Sequence, residues 1–250
     1  MGTTNTGSID PLTELGRIKE KYGMWLHVDG AFGGSILLSD IYRNLAKGLE
    51  LSDSFSWDLH KWALQCYSCS VCIARDKKCL IHAYAEHPEY LADIIDNEHS
   101  DGWDLGIEMS RPTRAVKFWF TVQAMGTDQL ADVIDYAFYN GHVAERALQA
   151  FDDWEICAKP MCGTLNFRYV PKEVDSAKYD ELNSEISKQI IESGFAYVVT
   201  TVIKGKRVLR LCMINGNTTT DDVKDTITRL NEIAVKLKDS YIQEKEGGKL

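Results

Sequence analysis

The sequence lacks the features of several protein classes. Its apolar runs are far too short to cross a bilayer, which takes about 20 consecutive apolar residues. Its first residues show no basic segment followed by an apolar core, so we expect no signal peptide. Positive charge is also scarce, since 28 Lys and Arg face 37 Asp and Glu, for a net charge of −9. This acidic balance argues against a nucleic-acid partner, because phosphate contacts need clustered Lys and Arg.

Cysteine is present in a pattern that favours neither disulfides nor metal. The seven cysteines are odd in number and lie mostly in apolar, strand-like segments, which is typical of reduced thiols in a cytoplasmic protein. Cys69 and Cys72 have the spacing of half a zinc site, but the second Cys or His pair is absent. In a strand these two residues would also face opposite sides. We therefore expect a cytoplasmic protein without a metal site.

The first half of the chain alternates between helix and strand patterns. We expect a helix over 13–22 and strands over 25–29, 54–57 and 70–75. Such alternation indicates an α/β unit with a mainly parallel sheet. Gly2-Thr3-Thr4 resembles the end of a strand, so we expect the chain to begin partway through this sheet. Residues 82–110 are irregular and predict a long functional loop.

The second half has a different order of elements. We expect helices over 113–125, 127–150 and 178–193, strands over 154–159 and 164–170, a hairpin of 195–203 with 207–213, and a last helix capped by residues 218–221. This order is that of a small α+β unit. The sequence therefore predicts two domains, residues 1–125 and 126–250.

Two short segments carry the chemistry. Asp29 follows the apolar run 24–28, and Lys61 follows the run 54–57 in the segment Ser56-Trp57-Asp58-Leu59-His60-Lys61. Open α/β sheets bind ligands outside the carboxyl ends of their strands, where both side chains would lie. There an aspartate can pair with the protonated pyridine nitrogen of pyridoxal phosphate, and a lysine can form a Schiff base with its aldehyde. Taken singly, such an Asp is often a helix N-cap and such a Lys a solvated surface residue.

A third segment, residues 2–11, is a turn rich in small hydroxyl residues before a helix. Together the three segments resemble the group II amino acid decarboxylases among the fold-type I pyridoxal phosphate enzymes. The resemblance covers essentially the whole chain and is closest to the bacterial aromatic amino acid and tryptophan decarboxylases. It implies part of the pyridoxal phosphate-binding large domain of that fold followed by its small C-terminal domain.

The resemblance also implies roles for individual residues. Lys61 would form the Schiff base and Asp29 would hold the ring nitrogen protonated. His60 would be a catalytic residue near the cofactor phosphate, and Ala31 would pack on one face of the ring. Thr4 would lie near the cofactor and the substrate carboxylate.

Tyr90 stands in the segment Pro88-Glu89-Tyr90-Leu91 of the predicted loop. In the resembling enzymes, a tyrosine in this context comes from the neighbouring subunit of a dimer and protonates Cα after carbon dioxide leaves. The resemblance thus implies a homodimer, and a tyrosine here favours simple decarboxylation over aldehyde formation. The alternative is an ordinary loop tyrosine.

The chain departs from the family pattern in two respects. Many members have Asn-Pro-His-Lys where this chain has Asp58-Leu59-His60-Lys61, and a carboxylate beside a phosphate would be repulsive. Asp58 is still counted among the expected cofactor-binding residues, and it either points away from the phosphate or has a partner. The family's Gly/Ser-rich phosphate loop and its ring-stacking histidine lie upstream of the equivalent of Gly2, so a separate N-terminal half is the other expected partner.

Substrate choice is weakly encoded. Ser110 matches a family position that lines the substrate pocket, where a small residue leaves room for a large side chain. The favoured reaction is decarboxylation of an aromatic, tryptophan-like L-amino acid to its amine. The alternatives are a decarboxylase for glutamate, cysteine sulfinate or diaminobutyrate, and an inactive or split fragment that needs its N-terminal half. A transaminase or desulfurase fits less well.

Overall fold

The computed structural model describes residues 1–85 and 101–247. The first part contains α1 (Leu12–Tyr22), β1 (His27–Asp29), β2 (Ser54–Asp58), β3 (Ser70–Ala74) and α2 (Lys77–Tyr84), with 3-10 helices at Gly33–Leu38, Arg43–Ala46 and Leu49–Leu51. The second part contains a 3-10 helix (Gly102–Leu105), α3 (Ala115–Leu148), β4 (Trp154–Met161), β5 (Thr164–Tyr169), a 3-10 helix (Ser176–Lys178), α4 (Tyr179–Glu192), β6 (Val199–Ile203), β7 (Lys206–Cys212) and α5 (Thr220–Gly247). The expected loop over 82–110 is thus helical at both of its described ends.

The strands of the first part form a sheet in the order β1-β2-β3. β1 and β2 run parallel, with Asp29 opposite Ser56. β3 runs antiparallel to β2, with Ser70 opposite Asp58, and most of its residues are exposed. The strand predicted over 70–75 is present, but the expectation of parallel pairing was wrong for it. Its connection from β2, residues 59–69, holds no helix, whereas a parallel crossover takes about a dozen residues or more, usually with a helix.

A buried cluster fixes this sheet against the rest of the chain. Val28 of β1 and Phe55 of β2 pack in it with Ile36 and Trp62, and α3 contributes Phe138. Trp62 directly follows Lys61 and is fully buried, so the lysine turn is anchored in the core.

The second sheet has the order β4-β5-β7-β6, and all of its pairs are antiparallel. The predicted hairpin is confirmed, with the turn at Lys204 and Gly205, although β6 begins only at Val199. Residues 195–198 instead form the exit from α4, where Phe195 and Tyr197 are exposed. Helices α3, α4 and α5 supply the remaining apolar side chains of the core on this sheet.

Helix α3 connects the two units. It bends at Gly126, whose φ of 76° and ψ of 173° are non-helical, in agreement with the predicted break between two helices. Beyond the bend, Ile134 and Phe138 belong to the core of the first sheet, and Val143 and Leu148 to that of the second. The division into domains 1–125 and 126–250 stays a prediction.

All seven cysteines are free thiols. Burial raises the pKa of Cys157 to about 11 and that of Cys162 to about 12, which keeps both protonated and unreactive at neutral pH. Within residues 1–85 and 101–247, no helix is both long enough and apolar enough to cross a membrane.

Candidate active site

Asp29 is the last residue of β1, and its side chain is exposed at the carboxyl end of the strand. Its Oδ1 accepts a hydrogen bond of 2.9 Å from the backbone N–H of Ala31 and one of 3.4 Å from the hydroxyl of Ser56. Ser56 is the register partner of Asp29 on β2. The two bonds orient the carboxylate through Oδ1, and within residues 1–85 and 101–247 its Oδ2 accepts no hydrogen bond.

The chain after Asp29 lies close against β2. The carbonyl oxygen of Ala31 accepts a hydrogen bond of 3.1 Å from the backbone N–H of Asp58. A Cβ at Gly30 would lie 2.2 Å from the Phe55 ring, and one at Gly34 would lie 2.7 Å from the Trp57 ring. Glycine at these two positions therefore permits the close approach that brings Ala31 beside the lysine turn.

Lys61 follows the end of β2 by three residues, and its side chain is 42% exposed. Its Nζ lies 2.9 Å from Oδ2 of Asp58, and Oδ1 of Asp58 accepts a hydrogen bond of 2.5 Å from the hydroxyl of Ser70. Partial burial works to raise the pKa of Asp58, but the hydrogen bonds from Ser70 and Lys61 outweigh it and hold that pKa below its usual range. Asp58 is therefore ionised at neutral pH and has partners on both oxygens.

His60 is largely buried and turned toward the backbone of the same turn. Its Nδ1 lies 3.0 Å from the carbonyl oxygen of Cys69 and 3.2 Å from the backbone nitrogen of Cys69, and its ring packs T-shaped with Tyr67 at 4.8 Å between ring centroids. Nε2 lies 3.8 Å from Oδ2 of Asp58. These contacts hold the imidazole and leave Nε2 as the nitrogen available to a ligand.

The N-terminal turn, residues 2–8, lies between the two units. Nε of Arg210 on β7 donates a hydrogen bond of 2.8 Å to the carbonyl oxygen of Thr4, and Nδ2 of Asn166 on β5 donates one of 3.1 Å to that of Asn5. Thr4 itself is exposed. The turn is thus fixed through its backbone, and the hydroxyl of Thr4 faces outward.

Three predicted residues, Thr4, Ser110 and Tyr90, are not brought to this site by the described contacts. Ser110 is exposed on the connection between the 3-10 helix Gly102–Leu105 and α3. Tyr90 lies outside the described residues.

The structure thus brings Asp29, Ala31, Asp58, His60 and Lys61 to the carboxyl ends of two adjacent parallel strands. An exposed carboxylate on β1 and an exposed primary amine after β2 fit the ring nitrogen and the aldehyde of pyridoxal phosphate. The donor set therefore suits the ring end of that cofactor. For its phosphate, Nε2 of His60 is the group that the described turn offers, and it lies 3.8 Å from Oδ2 of Asp58.

Sequence reasoning missed two residues of the site, Ser56 and Ser70. Ser56 has a weak signal, because it lies two residues before Asp58 and so faces the same side of β2. Ser70 has no signal in the sequence, because its contact with Asp58 depends on the antiparallel pairing of β3 with β2.

Comparison with known proteins gives the family. A model described as the pyridoxal-dependent decarboxylase conserved domain matches residues 1–170. An aromatic-L-amino-acid decarboxylase from Bacillus atrophaeus is 33% identical over 244 residues, which are 96% of this chain and 51% of that protein. An L-2,4-diaminobutyrate decarboxylase from Acinetobacter baumannii is 29% identical over 96% of this chain and 47% of that protein. The chain thus spans about half the length of the curated relatives it matches.

Solved structures agree with this result. The crystal structure of Oryza sativa TDC with PLP and tryptamine matches 94% of this chain and 49% of its own, with a TM-score of 0.88 and 25% identity. That of Rhodiola rosea 4-hydroxyphenylacetaldehyde synthase matches 94% of this chain and 48% of its own, with a TM-score of 0.84 and 28% identity. The chain therefore belongs to the pyridoxal-dependent decarboxylase family.

Proposed function

We propose that this chain carries the lysine- and aspartate-bearing half of a pyridoxal phosphate-dependent decarboxylase. Its reaction converts an aromatic, tryptophan-like L-amino acid to the amine and carbon dioxide. The observation that carries the proposal is the placement of Asp29 and Lys61 at the carboxyl ends of two adjacent parallel strands. Family membership supports the same chemistry.

The chemistry divides between cofactor and protein. When bound, pyridoxal phosphate supplies a pyridinium ring that accepts the electron pair left at Cα as carbon dioxide departs. Asp29 keeps the proton on the ring nitrogen, because a carboxylate favours the charged form of its neighbour. Lys61 would hold the aldehyde through its amine, and Nε2 of His60 would hold the phosphate.

The remaining predicted residues surround the substrate. Ala31 would pack on a face of the ring, and Thr4 would present its hydroxyl toward the substrate carboxylate. Ser110 would line the side-chain pocket, and Tyr90, from a neighbouring subunit, would return the proton to Cα. These roles follow from the family pattern, and the outward-facing hydroxyl of Thr4 on its fixed turn is compatible with its role.

The assembly belongs to the same proposal. We propose a cytoplasmic homodimer, or association with an N-terminal half, in which the partner completes the cofactor site. This is supported by the relatives, which are about twice as long as this chain.

A second substrate class has support from one relative. The L-2,4-diaminobutyrate decarboxylase of Acinetobacter baumannii matches 96% of the chain, as the aromatic enzyme does. Its identity is 29%, compared with 33% for the aromatic enzyme. Decarboxylation of a diamino acid is therefore the second candidate. A panel of L-tryptophan, L-tyrosine, L-2,4-diaminobutyrate and L-glutamate, with carbon dioxide release as the readout, separates the two.

The cofactor half of the proposal is tested on the purified chain with pyridoxal phosphate, before and after borohydride reduction. We expect one reduced adduct per chain, located on Lys61 by peptide mass spectrometry and absent in Lys61→Ala. Lys47→Ala is the matched control, since Lys47 is another lysine of residues 1–85 outside this edge. Adducts spread over surface lysines, at equal levels in Lys61→Ala, would contradict the assignment.

A further inference from the structure

Asp58 lies beside the amine of Lys61. Oδ2 is 2.9 Å from Nζ, and the two residues are separated by a single turn. At this distance the carboxylate and the ammonium form a direct, charge-assisted hydrogen bond.

The other oxygen of Asp58 is also occupied. Oδ1 accepts the hydroxyl of Ser70 at 2.5 Å, and Ser70 is fixed opposite Asp58 in the register of β2 and β3. The Asp58 side chain is only 20% exposed. Strand pairing therefore holds the carboxylate, and the carboxylate in turn holds the lysine.

His60 is the other titratable group beside Asp58, with its Nε2 3.8 Å from Oδ2 of Asp58. Asp29 ends β1 and bonds to Ser56 and Ala31, while Lys117 on α3 reaches the carbonyl oxygens of Cys66 and Ser68. Arg114 at the start of α3 is engaged by Glu108. Within the described residues, the contact of Lys61 with an opposite charge is the one with Asp58.

We propose that Asp58 is a positioning residue for Lys61 and not a ligand of the cofactor phosphate. It binds the amine at the sheet edge before cofactor arrives, and Ser70 fixes it there. The Asp58 carboxylate would repel the anionic phosphate of the cofactor, whereas it attracts the ammonium of Lys61. The part of the proposal that concerns cofactor rests on the proposed function; the pairing of Asp58 with Lys61 does not.

Release of this pair precedes covalent capture. Nζ gives up one proton to solvent and leaves the carboxylate. Its lone pair then attacks an aldehyde carbon, nitrogen replaces the carbonyl oxygen, and that oxygen leaves as water. Breaking the pair costs energy, so removing the Asp58 charge should make Nζ react faster with any electrophile.

The first test uses no cofactor. The chain is labelled with a trace of acetic anhydride at neutral pH, and the labelling rate of each lysine is read by mass spectrometry. We expect Asp58→Asn to raise the rate at Lys61 about two- to fivefold, the range of partly exposed ion pairs, and Asp58→Glu to restore the slow rate. Lys224 on α5 is the internal standard, because it forms a more exposed pair of the same spacing with Asp221 at 3.0 Å.

The second test distinguishes an effect of Asp58 on Lys61 from an effect on the cofactor phosphate. Capture of pyridoxal and of pyridoxal phosphate is followed by absorbance in the native chain and in Asp58→Asn. A positioning residue that acts on Lys61 changes both capture rates by the same factor. A gain confined to pyridoxal phosphate would place Asp58 at the phosphate and overturn the proposal.

Circular dichroism checks that Asp58→Asn folds. If it does not, Ser70→Ala replaces it, with a smaller expected increase because the carboxylate loses its anchor but keeps its charge. An unchanged labelling rate at Lys61 in the folded variant would show that the pair does not form, and this holds whether or not the chain binds cofactor. Failed capture with faster labelling would count against the proposed function alone.

Discussion

Asp29 is oriented by its neighbours and not by burial. Its carboxylate is exposed, but the N–H of Ala31 and the hydroxyl of Ser56 fix one oxygen. A residue held in this way is ready to meet a ligand without rearrangement, which lowers the cost of binding.

Replacing Asp29 by Asn tests this role. The amide has nearly the same shape but no charge, so it cannot hold a proton on the ring nitrogen by ion pairing. We expect the affinity of the chain for pyridoxal phosphate, measured by fluorescence titration, to fall about tenfold or more, the effect of about one pKa unit of lost charge stabilisation. Asp152→Asn, an exposed carboxylate elsewhere, should bind as the native chain does; equal affinities for all three proteins would contradict the assignment.

The sequence predicted where two residues of this site lie, and their roles stay predictions. The positions of Asp29 and Lys61 follow from two apolar runs and from the rule that ligands bind at the carboxyl ends of parallel strands. The partner of Asp58 did not follow, because Ser70 reaches it only through the antiparallel return of β3. A one-dimensional pattern shows where a strand lies but not which neighbour it pairs with.

At the scale of elements, strong periodicity gave the right segments. α1, α4 and the hairpin of β6 and β7 lie within a few residues of their predicted bounds, because each has apolar positions at the period of its structure. The direction of β3 was missed, since strand direction depends on the connection that precedes it.

Asp53, the residue before β2, bonds to α1 and to the residue before β1. The packing of these segments should therefore be sensitive to acid. The Asp53 carboxylate accepts the N–H of Leu26 at 2.8 Å and bonds to Nζ of Lys19 on α1 at 2.7 Å. The hydrogen bond from Leu26, followed by that from Lys19, holds the pKa of Asp53 below its usual 3.8. Because the folded pKa is the lower one, this stabilisation is complete above pH 3.8 and is lost as the pH falls through the folded value.

We therefore expect Asp53→Asn to be about 1 kcal/mol less stable than the native chain at neutral pH. The difference should shrink as the pH falls below about 4, where the native carboxylate also loses its charge. Urea unfolding at several pH values measures both effects. Asp132→Asn, on the exposed face of α3, is the control, and a deficit that stays constant down to pH 2 would refute the linkage.

At the scale of the whole molecule, two cores share one helix. Beyond its bend, α3 gives Phe138 to the core of the first sheet and Leu148 to that of the second. The N-terminal turn adds a second connection through Arg210 and Asn166. The site therefore lies on a unit whose position relative to the small unit is set by packing at two places.

The two cores differ in how well their sheets are covered, so we expect the two units to differ in stability. The second is covered by three helices on a four-stranded antiparallel sheet, whereas the first has a three-stranded sheet with a largely exposed edge strand. Exposed edges and sparse packing lower local stability. We expect limited proteolysis to remove the first unit and leave a resistant fragment that starts near residue 126.

That fragment, expressed alone as residues 126–250, should unfold cooperatively in urea. Leu182→Ala, a fully buried position on α4, should destabilise it by about 2–5 kcal/mol, as expected for a leucine removed from a packed core.

Phe138→Ala should destabilise the whole chain but have less effect on the fragment, because most partners of Phe138 lie in the first unit. Digestion of both units at the same rate, or a fragment without a cooperative unfolding transition in urea, would show that α3 joins the two units into a single domain.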